Sequence, residues 1–510
     1  MTSAAWAGFG IKQLPLLQGR GTPMARHAHK MLLPLVLPLF LAACSTNPVT
    51  GDRQMTALMP PEQEAAIGAQ QHPAMLKEFG GRYENVNLQA YVDRLGQQLA
   101  AKTEIPGTRY TFTVLDSPIV NAFALPGGYV YVSRGLMALA NSEAELAGVV
   151  GHEIGHVTAR HAADRYGRGV LAQGGAVLAG ILLGQGAGQL AQQGAQAALA
   201  SFSRGQELQA DNLGIRYMTA AGYDPREMAG FLASMGRHAQ LEALLAGQPG
   251  KADQFSYLQT HPPTGDRAER AAAAASMTPG APYLIRQDEY MQAINGMIYG
   301  DSPDHGFVRG RVFAHTGLGI RFEVPDGFRL LNSNEAVLGL GPSGSQIVFS
   351  DAQAQGAFSA ADYIGNVWAK GTALADLRSL SIDGIPAATA VTRLAGPQGP
   401  VHARLVAIAG NAGRYYRFLL TAPLEQAGRL DAVFLSSTQQ GFRRLTAAER
   451  AGLKPYRIKV VQVKPGQTVS DFVAAFPLKD YAEERFRVLN NIPPGTEPRP
   501  GIWVKTIIEG

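Results

Sequence analysis

The chain is poor in cysteine, in charged residues and in long apolar runs. It has one cysteine in 510 residues, so the chain cannot form an internal disulfide framework. Charged residues make up 17%, and despite a net charge of +5 no block of Lys or Arg resembles a nucleic-acid-binding arm. The apolar stretches at 31–41 and 170–183 are too short for a membrane span. These absences argue against the disulfide-stapled, nucleic-acid-binding and integral membrane classes. For 170–183 we expect one or two small-residue helices packed near the site, with a membrane-touching segment as the alternative.

One short motif carries metal chemistry. Gly-His-Glu-Ile-Gly-His occupies 151–156. On a helix, His152 and His156 lie one turn apart on the same face, so both imidazoles can bind one metal ion. Glu153 then lies beside that metal, where it can accept a proton from a bound water. The motif therefore predicts a catalytic zinc site with one Zn²⁺ per chain.

The residues before the motif predict the helix that this chemistry requires. Ser142 can act as the N-cap, and Glu145 three positions later completes a capping-box pattern. Gly151 and Gly155 each cost about 1 kcal/mol of helix propensity relative to Ala. Close packing of a neighbouring helix against this face would explain why glycine is tolerated there.

A third metal ligand is expected from elsewhere in the chain, because no histidine follows His156 at metzincin spacing. Glu207 is the best candidate. Asp211 follows one turn later on the same helix face, where it can accept the free ring N–H of a ligating histidine. The alternative is that the two carboxylates form an exposed helix pair. His161, His238 and His315 are interpreted as surface or packing residues.

A β-hairpin is predicted before the motif helix, where two apolar runs flank Pro-Gly-Gly at 126–128. Its first strand contains Asn121, Ala122, Phe123 and Ala124. In zinc peptidases, an edge strand beside the metal holds an extended substrate through main-chain hydrogen bonds. We therefore predict a substrate strand here, with a purely structural hairpin as the alternative.

The N-terminal region has the pattern of an export signal. Arg26 and Lys30 precede the apolar run 31–41, and Leu-Ala-Ala-Cys follows at 41–44. This resembles a bacterial lipoprotein signal, which implies lipidation of Cys44; an ordinary secretory signal is the alternative. Ser45 replaces the Asp of an inner-membrane retention signal, which by bacterial sorting rules favours the outer membrane. We predict a signal peptide at 1–43 with a true start at Met24, and a polar tether at 44–60.

The motifs together resemble a family of zinc endopeptidases that includes the CAAX prenyl-protein endopeptidases, HtpX and BepA. Four motifs match in order within residues 45–275: the strand at 121–128, the 151–156 motif, Glu207-x-x-Ala-Asp211, and Thr260-His261-Pro262 followed by Arg267. The resemblance implies a gluzincin fold with zinc on His152, His156 and Glu207, and with Glu153 as general base.

The same resemblance implies roles for the downstream loop. In soluble periplasmic members the histidine at the position of His261 can approach the zinc and hold the enzyme latent. His261 is therefore predicted to be a switch or a transition-state contact. Arg267 is predicted either to stabilise the developing oxyanion or to brace the loop.

The fold prediction is α+β. We expect a mainly helical zinc metallopeptidase domain with a small edge hairpin at 61–310, then an α+β domain of unknown role at 311–445. Residues 456–510 resemble a LysM module, a βααβ fold that binds N-acetylglucosamine chains of peptidoglycan, although Gln467 departs from the usual Gly-Asp-Thr.

The sequence favours a lipid-anchored zinc endopeptidase of the bacterial periplasm that acts on misfolded or misassembled envelope proteins. Its expected partners are envelope protein substrates, the membrane through a lipid at Cys44, and peptidoglycan, but no nucleic acid. Two alternatives stay open. One is a peptidoglycan-binding scaffold or latent chaperone-protease, and the other is a hydrolase of peptidoglycan peptides.

Overall fold

The computed structural model describes residues 45–105, 107–170, 202–252, 261, 267–276, 282–356, 358–396 and 399–510. The predicted signal at 1–43, Cys44, residues 171–183 of the predicted small-residue helices, and the loop residues 260 and 262–266 lie outside this part of the chain. The chain divides into two compact units. The first comprises the described residues of Met1–Leu76, Gly81–Met297 and Ile458–Ile508, and the second those of Lys77–Gly80, Ile298–Arg457 and Glu509–Gly510. Among the described helices, none has the length and apolarity needed to cross a bilayer.

The first unit is mainly helical. Residues 161–170 are helical, and the other helices are Pro61–Glu78, Val86–Ala100, Arg134–Leu139, Glu143–Thr158, Arg204–Ala220, Arg226–Leu245, Arg267–Ser276, Gln287–Ile294, Val469–Ala474 and Ala482–Leu489. Its strands are Ser45–Thr46, Arg53–Gln54, Thr111–Leu115, Ala122–Leu125 and Tyr129–Ser133, with Tyr456–Gln462 and Trp503–Glu509 near the end of the chain.

The helix Glu143–Thr158, here called the motif helix, carries the 151–156 sequence. It begins at the predicted N-cap, where the Ser142 hydroxyl accepts a hydrogen bond from the Glu145 N–H at 3.0 Å. The reciprocal bond of a capping box differs from the prediction, because the Glu145 carboxylate accepts from the Asn141 N–H at 2.6 Å instead. Every residue of the motif helix except Val157 is buried, so its polar side chains are shielded from solvent.

The helix Arg204–Ala220, here called the partner helix, packs directly on the glycine face of the motif helix. A Cβ at Gly151 would lie 3.1 Å from the Gly214 carbonyl oxygen, and a Cβ at Gly155 would lie 3.0 Å from the Ala210 carbonyl oxygen. Only glycine allows two backbones to approach this closely without displacement. This contact is the close packing that the sequence predicted, and it brings the carboxylates of the partner helix opposite the motif.

A three-stranded sheet lies beside the motif helix. Tyr129–Ser133 is its centre, with Thr111–Leu115 parallel on one side and Ala122–Leu125, here called the edge strand, antiparallel on the other. The edge strand and Tyr129–Ser133 form the predicted hairpin. Gly127 and Gly128 have φ values of +80° and +90°, which L side chains rarely adopt, so the turn requires glycine.

Residues 45–54, here called the N-terminal hairpin, form two short paired strands where a polar tether was predicted. Asn47 is 2% exposed and organises the turn, since its Oδ1 accepts from the N–H groups of Val49 and Thr50 at 2.8 and 3.1 Å. Its Nδ2 donates to the carbonyl oxygen of Thr158, the last residue of the motif helix, at 3.2 Å. The hairpin is therefore packed on the C-terminal end of that helix.

Residues 458–508, here called the C-terminal segment, belong to the first compact unit. The order of elements over 456–509 is strand, helix, helix, strand. Lys505 is fully buried, and its Nζ donates to the carbonyl oxygens of Ala138, Leu139 and Ala140 at 2.7, 3.1 and 2.7 Å. This lysine attaches the C-terminal segment to the chain just before the motif helix.

The second unit contains a seven-stranded antiparallel sheet. Its strand order is Arg329–Asn332, Val337–Leu340, Gln346–Gln353, Arg414–Pro423, Gly399–Ala409, Ile385–Gly396 and Ala375–Ile382. A four-stranded sheet has the order Arg443–Arg444, Ile320–Glu323, Val312–His315 and Phe307–Arg309.

The helices of the second unit are Ala360–Tyr363, which continues as a π-helix at Ile364–Trp368, with Ala427–Gly441 and Ala447–Gly452. A phenylalanine-rich core includes Phe313, Phe322, Phe349, Phe418 and Phe434. The unit begins at 298, before the predicted boundary at 311. Helices and sheets in both units confirm the α+β class at this coarse level.

Candidate metal centre

Four buried side chains converge between the motif helix and the partner helix: His152, His156, Glu207 and His261. One possible ligand atom from each lies within 4.8 Å of the others. The two Nε2 atoms of His152 and His156 are 3.0 Å apart. The Glu207 carboxylate lies 3.5 Å from His156 Nε2 and 3.6 Å from His152 Nε2. The structure thus brings together the three residues that the sequence proposed as metal ligands.

The donor set and its spacing fit zinc. Four ligand atoms at the usual bond lengths of a tetrahedral zinc lie about 3.3 Å from one another. The distances between the imidazole nitrogens and the carboxylate oxygens of this cluster span 3.0 to 3.6 Å. Two imidazoles and a carboxylate form a recognised ligand set of catalytic zinc.

His261 provides the fourth donor and also faces Glu153. Its Nδ1 lies 3.0 Å from Glu207 Oε1 and 3.3 Å from His152 Nε2. Its Nε2 lies 3.7 Å from Glu153 Oε1. His261 therefore lies where a catalytic site would keep a position for water, between the three ligands and the carboxylate expected to be the base.

Asp211 and Arg267 contact the side chains of the cluster on the side away from the candidate metal position. Asp211 Oδ1 lies 2.8 Å from His152 Nδ1, the ring nitrogen directed away from the cluster. Arg267 contacts both oxygens of Asp211 at 2.7 and 2.8 Å and reaches Glu207 Oε2 at 2.8 Å. A carboxylate behind a ligating histidine fixes the ring tautomer and orientation. Arg267 thus contacts both carboxylates of the partner helix.

Comparison with known proteins agrees with this geometry. Residues 87–275 match the model described as Peptidase family M48, and this range contains every residue of the cluster. Residues 87–275, here called the M48 domain, are therefore similar to peptidase family M48. The match confirms the predicted family, the metalloendopeptidase class and zinc as the metal that this class uses.

The relatives of the M48 domain come from bacteria and from mitochondria. A beta-barrel assembly-enhancing protease of Yersinia pestis is 31% identical over 218 residues, covering 39% of this chain and 42% of that protein. A putative protease of the same name in Vibrio cholerae is 32% identical over 217 residues, with the same two coverages. The mitochondrial metalloendopeptidase OMA1 of Arabidopsis thaliana is 32% identical over 189 residues, covering 37% of this chain and 36% of that protein.

The chain therefore spans less than half the length of these relatives. Among solved structures, cyanobacterial PsbP of Synechocystis matches 28% of this chain and 98% of its own, with 14% identity and a TM-score of 0.22. A score that low supports no structural conclusion.

Electrostatics in the M48 domain favour an ionised carboxylate pair. Burial alone would raise the pKa of Glu207, but the charge of His261 and the hydrogen bonds from His156 and His261 outweigh it and hold that pKa well below its usual range. Burial likewise opposes ionisation of Asp211, and the Arg267 and His152 hydrogen bonds lower its pKa overall. Two negative carboxylates beside imidazole nitrogens form a site prepared for a cation.

The two candidate ligand histidines, His152 and His156, have different surroundings. Burial lowers the pKa of His152, but hydrogen bonding to Asp211 reverses this effect and raises it overall. For His156, burial dominates and lowers the pKa well below its usual value. Imidazole must be neutral to bind a metal, so the neutral form of His156 is already the ligand form.

One buried contact of the M48 domain was missed by sequence reasoning, which interpreted His161 as a surface or packing residue. Its Nδ1 lies 2.9 Å from His156 Nδ1, and its Nε2 lies 2.7 Å from Gln209 Oε1. Burial lowers the pKa of His161 to about 4, so the ring is neutral at neutral pH. The signal available in the sequence was spacing alone, since His161 follows His156 by five residues and Gln209 follows Glu207 by two.

The proposed substrate residues lie beside the motif helix. Ala122–Leu125 is at an edge of the three-stranded sheet as far as the chain is described, and it contacts the motif helix. Asn121 directly precedes the strand, and Phe123 stacks on Tyr131 with ring centroids 4.7 Å apart. The structure thus brings the metal cluster, the base candidate and the edge strand into one compact unit.

Proposed function

We propose that this chain is a zinc-dependent endopeptidase of the bacterial periplasm, anchored by a lipid on Cys44. Its substrates would be misfolded or misassembled proteins of the cell envelope. The observation that carries the proposal is the buried cluster of His152, His156 and Glu207, with Glu153 beside it. The printed names of the two bacterial relatives, which concern β-barrel assembly, support an envelope substrate.

The chemistry follows from the positions of these side chains. Zinc held by His152, His156 and Glu207 would polarise the scissile carbonyl and acidify the attacking water. Glu153 accepts the proton of that water and delivers it to the nitrogen of the leaving amine. Asp211 accepts from His152 Nδ1 and keeps Nε2 directed at the cluster. Arg267 holds Asp211 and Glu207 in place rather than contacting substrate.

We propose that the edge strand binds substrate. An extended peptide can add to a sheet edge through main-chain hydrogen bonds, and alternate side chains then determine specificity. Asn121, Ala122, Phe123 and Ala124 run along this edge beside the motif helix. This position would lay the scissile bond across the cluster.

His261 would make the resting enzyme latent. With its imidazole 3.0 Å from Glu207 and 3.3 Å from His152, it would fill the fourth ligand position and exclude water. Removal of His261 from the cluster would then be the activating step, and it would also free Glu153, which lies 3.7 Å from the His261 ring.

The proposed activity is tested with Glu153→Gln, which keeps the side-chain shape but removes the base. The purified mature protein should cleave casein, a chelator should abolish cleavage, and the variant should retain zinc while losing activity by at least about 100-fold. Glu269→Gln, at an exposed position of another helix, is the control. Full activity of the Glu153 variant would overturn the assignment.

Latency is tested by His261→Phe, which cannot bind the metal. Casein cleavage should rise, and one mole of zinc per chain should stay bound through the remaining three ligands. His238→Phe, at a half-buried site on Arg226–Leu245, is the matched control. If His261→Phe leaves both proteolysis and zinc coordination unchanged, His261 is not a switch.

A second candidate function is binding of peptidoglycan by the C-terminal segment, favoured by the strand–helix–helix–strand order of 456–509. Co-sedimentation with purified sacculi tests it. Binding without cleavage would support a LysM-like scaffold, and released muropeptides would support a peptidoglycan peptide hydrolase. Absence of the protein from the pellet would remove both alternatives.

A further inference from the structure

A chain of polar side chains begins on the outer nitrogen of His156. When Nε2 binds a metal, the proton of the neutral ring resides on Nδ1, which must then donate. The only nitrogen at hydrogen-bond distance in the described contacts is His161 Nδ1, at 2.9 Å. His161 Nδ1 must therefore accept, so its own proton resides on Nε2, which lies 2.7 Å from Gln209 Oε1. Each of these nitrogen and oxygen atoms thus acts either as a donor or as an acceptor, without conflict.

The chain of contacts continues to the N-terminal hairpin. With Oε1 accepting from His161, the amide group of Gln209 directs its Nε2 towards Asp52, where it donates to Oδ2 at 2.5 Å. Asp52 lies in the turn of the hairpin next to Arg53, which pairs with Thr46. A continuous set of hydrogen bonds thus joins the metal cluster to residues directly after Cys44.

Two further contacts fix the hairpin relative to the same region. Asn47 donates to the Thr158 carbonyl at the end of the motif helix. The Met55 N–H donates to Asp164 Oδ1 at 2.9 Å, and Asp164 Oδ2 accepts from Gln206 Nε2, on the partner helix, at 3.1 Å. The hairpin is therefore held against both helices that carry the cluster, so the position of Asp52 is determined by more than its own contact.

We propose that His161, Gln209 and Asp52 are positioning residues that orient His156 as a metal ligand, and that the N-terminal hairpin is a brace of the metal site. The proposal rests on the proposed function in one respect, namely that His156 holds zinc through Nε2. The proposal gives the N-terminal hairpin, which was predicted to be a polar tether, a function in supporting the metal site.

The hydrogen-bond partners of His156 and His152 differ in charge. His152 faces a carboxylate that is itself paired with Arg267, whereas His156 faces a neutral imidazole and a neutral amide before any charge is reached. A neutral partner fixes ring orientation without adding negative charge to the ligand, and its geometry depends on the distant hairpin. Outer partners of ligating histidines commonly change metal affinity by roughly 10–100-fold when they are replaced.

The test is the zinc affinity of the full mature chain, measured by competition with a chelator of known affinity. His161→Phe keeps a planar ring but removes both hydrogen bonds, and it should weaken zinc binding by roughly 10–100-fold. Gln209→Ala and Asp52→Ala should weaken it by successively smaller factors. The control is Asn212→Ala, at an exposed position of the partner helix, which should bind zinc as the wild type does.

Two variants separate positioning from general destabilisation. His161→Asn places an oxygen near the position of Nδ1, so it should recover much of the affinity lost in His161→Phe. Adding Gln209→Ala to His161→Phe should cause no further loss, because the path to His156 is already broken. The absorption spectrum of the Co²⁺-loaded protein should shift in His161→Phe and return towards wild type in His161→Asn.

Each outcome decides the proposal. Unchanged zinc affinity in a folded His161→Phe, or additive losses in the double variant, would overturn it. If His161→Phe does not fold, the partly exposed Gln209 and Asp52 variants carry the test, and wild-type affinity in both would overturn the proposal. These readouts are binding and spectra, so a chain that fails to cleave casein would refute the proposed activity without affecting this result.

Discussion

The two ends of the motif helix are held by opposite ends of the chain, and in different ways. Before its N-terminal end, Lys505 of the C-terminal segment places its buried Nζ against the carbonyl oxygens of 138–140. At its C-terminal end, the N-terminal hairpin contacts the Thr158 carbonyl through the neutral amide of Asn47.

The Lys505 contact and the N-terminal hairpin differ in the residues to which they connect. The Nζ of Lys505 donates to the last two carbonyls of Arg134–Leu139 and to that of Ala140, and no described contact of its Nζ involves a metal-cluster residue. The hairpin leads through Gln209 and His161 to a cluster histidine. We therefore expect the C-terminal segment to support the stability of the unit and the hairpin to support the geometry of the metal site.

The largest expected effect is at Lys505. Lys505→Met retains the apolar length of the side chain but removes a donor from three buried carbonyl oxygens. Of these, the Leu139 oxygen still accepts from Asn141 Nδ2 at 2.9 Å. The free energy of unfolding should fall by about 3–5 kcal/mol, since each buried carbonyl oxygen that is left without a donor costs about 1–3 kcal/mol. Chemical denaturation measures the loss.

The control for this variant is Lys459→Met, an exposed lysine of the same segment, which should change stability by less than about 0.5 kcal/mol. Zinc affinity of the folded Lys505 variant should equal that of the wild type. A large loss of zinc affinity in the Lys505→Met variant would contradict the assignment of stability to one end of the motif helix and of metal-site geometry to the other.

A smaller effect is expected at the other end. Asn47→Ala removes a buried donor and acceptor from the hairpin turn and from Thr158. Unfolding free energy should fall by about 2 kcal/mol, and here zinc affinity should fall too, because Asp52 loses its fixed position. Arg53→Ala, exposed in the same hairpin, is the control. Stability lost without any change in zinc binding would show that the hairpin does not brace the site.

A third effect depends on pH rather than on the loss of a contact. Burial raises the pKa of Glu145, near the N-terminal end of the motif helix, to about 7. The folded state then binds a proton more tightly than the unfolded chain, whose glutamate titrates near about 4.3. Stability contributed by this group is present below that value and is lost as pH rises towards about 7, by at most about 1.4 kcal/mol per pH unit.

Glu145→Gln removes this titration, so its unfolding free energy should vary less between about pH 5 and pH 7 than that of the wild type. Denaturation at several pH values provides the measurement, with the exposed Glu269→Gln as control. Identical pH slopes for Glu145→Gln and the wild type would mean that Glu145 is ionised in the folded protein.

Local patterns in the sequence were enough to predict the motif helix and its partner carboxylates. The side chains of 152, 156, 207 and 211 are related by helical spacing, which is visible in one stretch of sequence at a time. The predicted N-cap and the glycine-mediated packing also follow from short-range rules, and the structure places both as expected.

The supports of the motif helix were not predictable in this way. Asp52, His161 and Gln209 are far apart in sequence and meet only through tertiary packing. The sequence 45–54 is polar and rich in turn residues, which is equally typical of a tether and of a hairpin stabilised by a buried Asn. Lysine is rarely fully buried, so composition predicts an exposed Lys505.

If Cys44 carries the proposed lipid, the folded hairpin would also limit how far the metal cluster could lie from a membrane. Ten extended residues would span at most about 33–36 Å. Here Ser45 pairs with Gln54, so the chain returns to its starting point beside the motif helix. With a lipid on Cys44, the catalytic cluster would stay at a nearly constant, small height above the bilayer. Such an enzyme would select substrates by where their exposed segments lie, and would cleave those that stay close to the membrane surface.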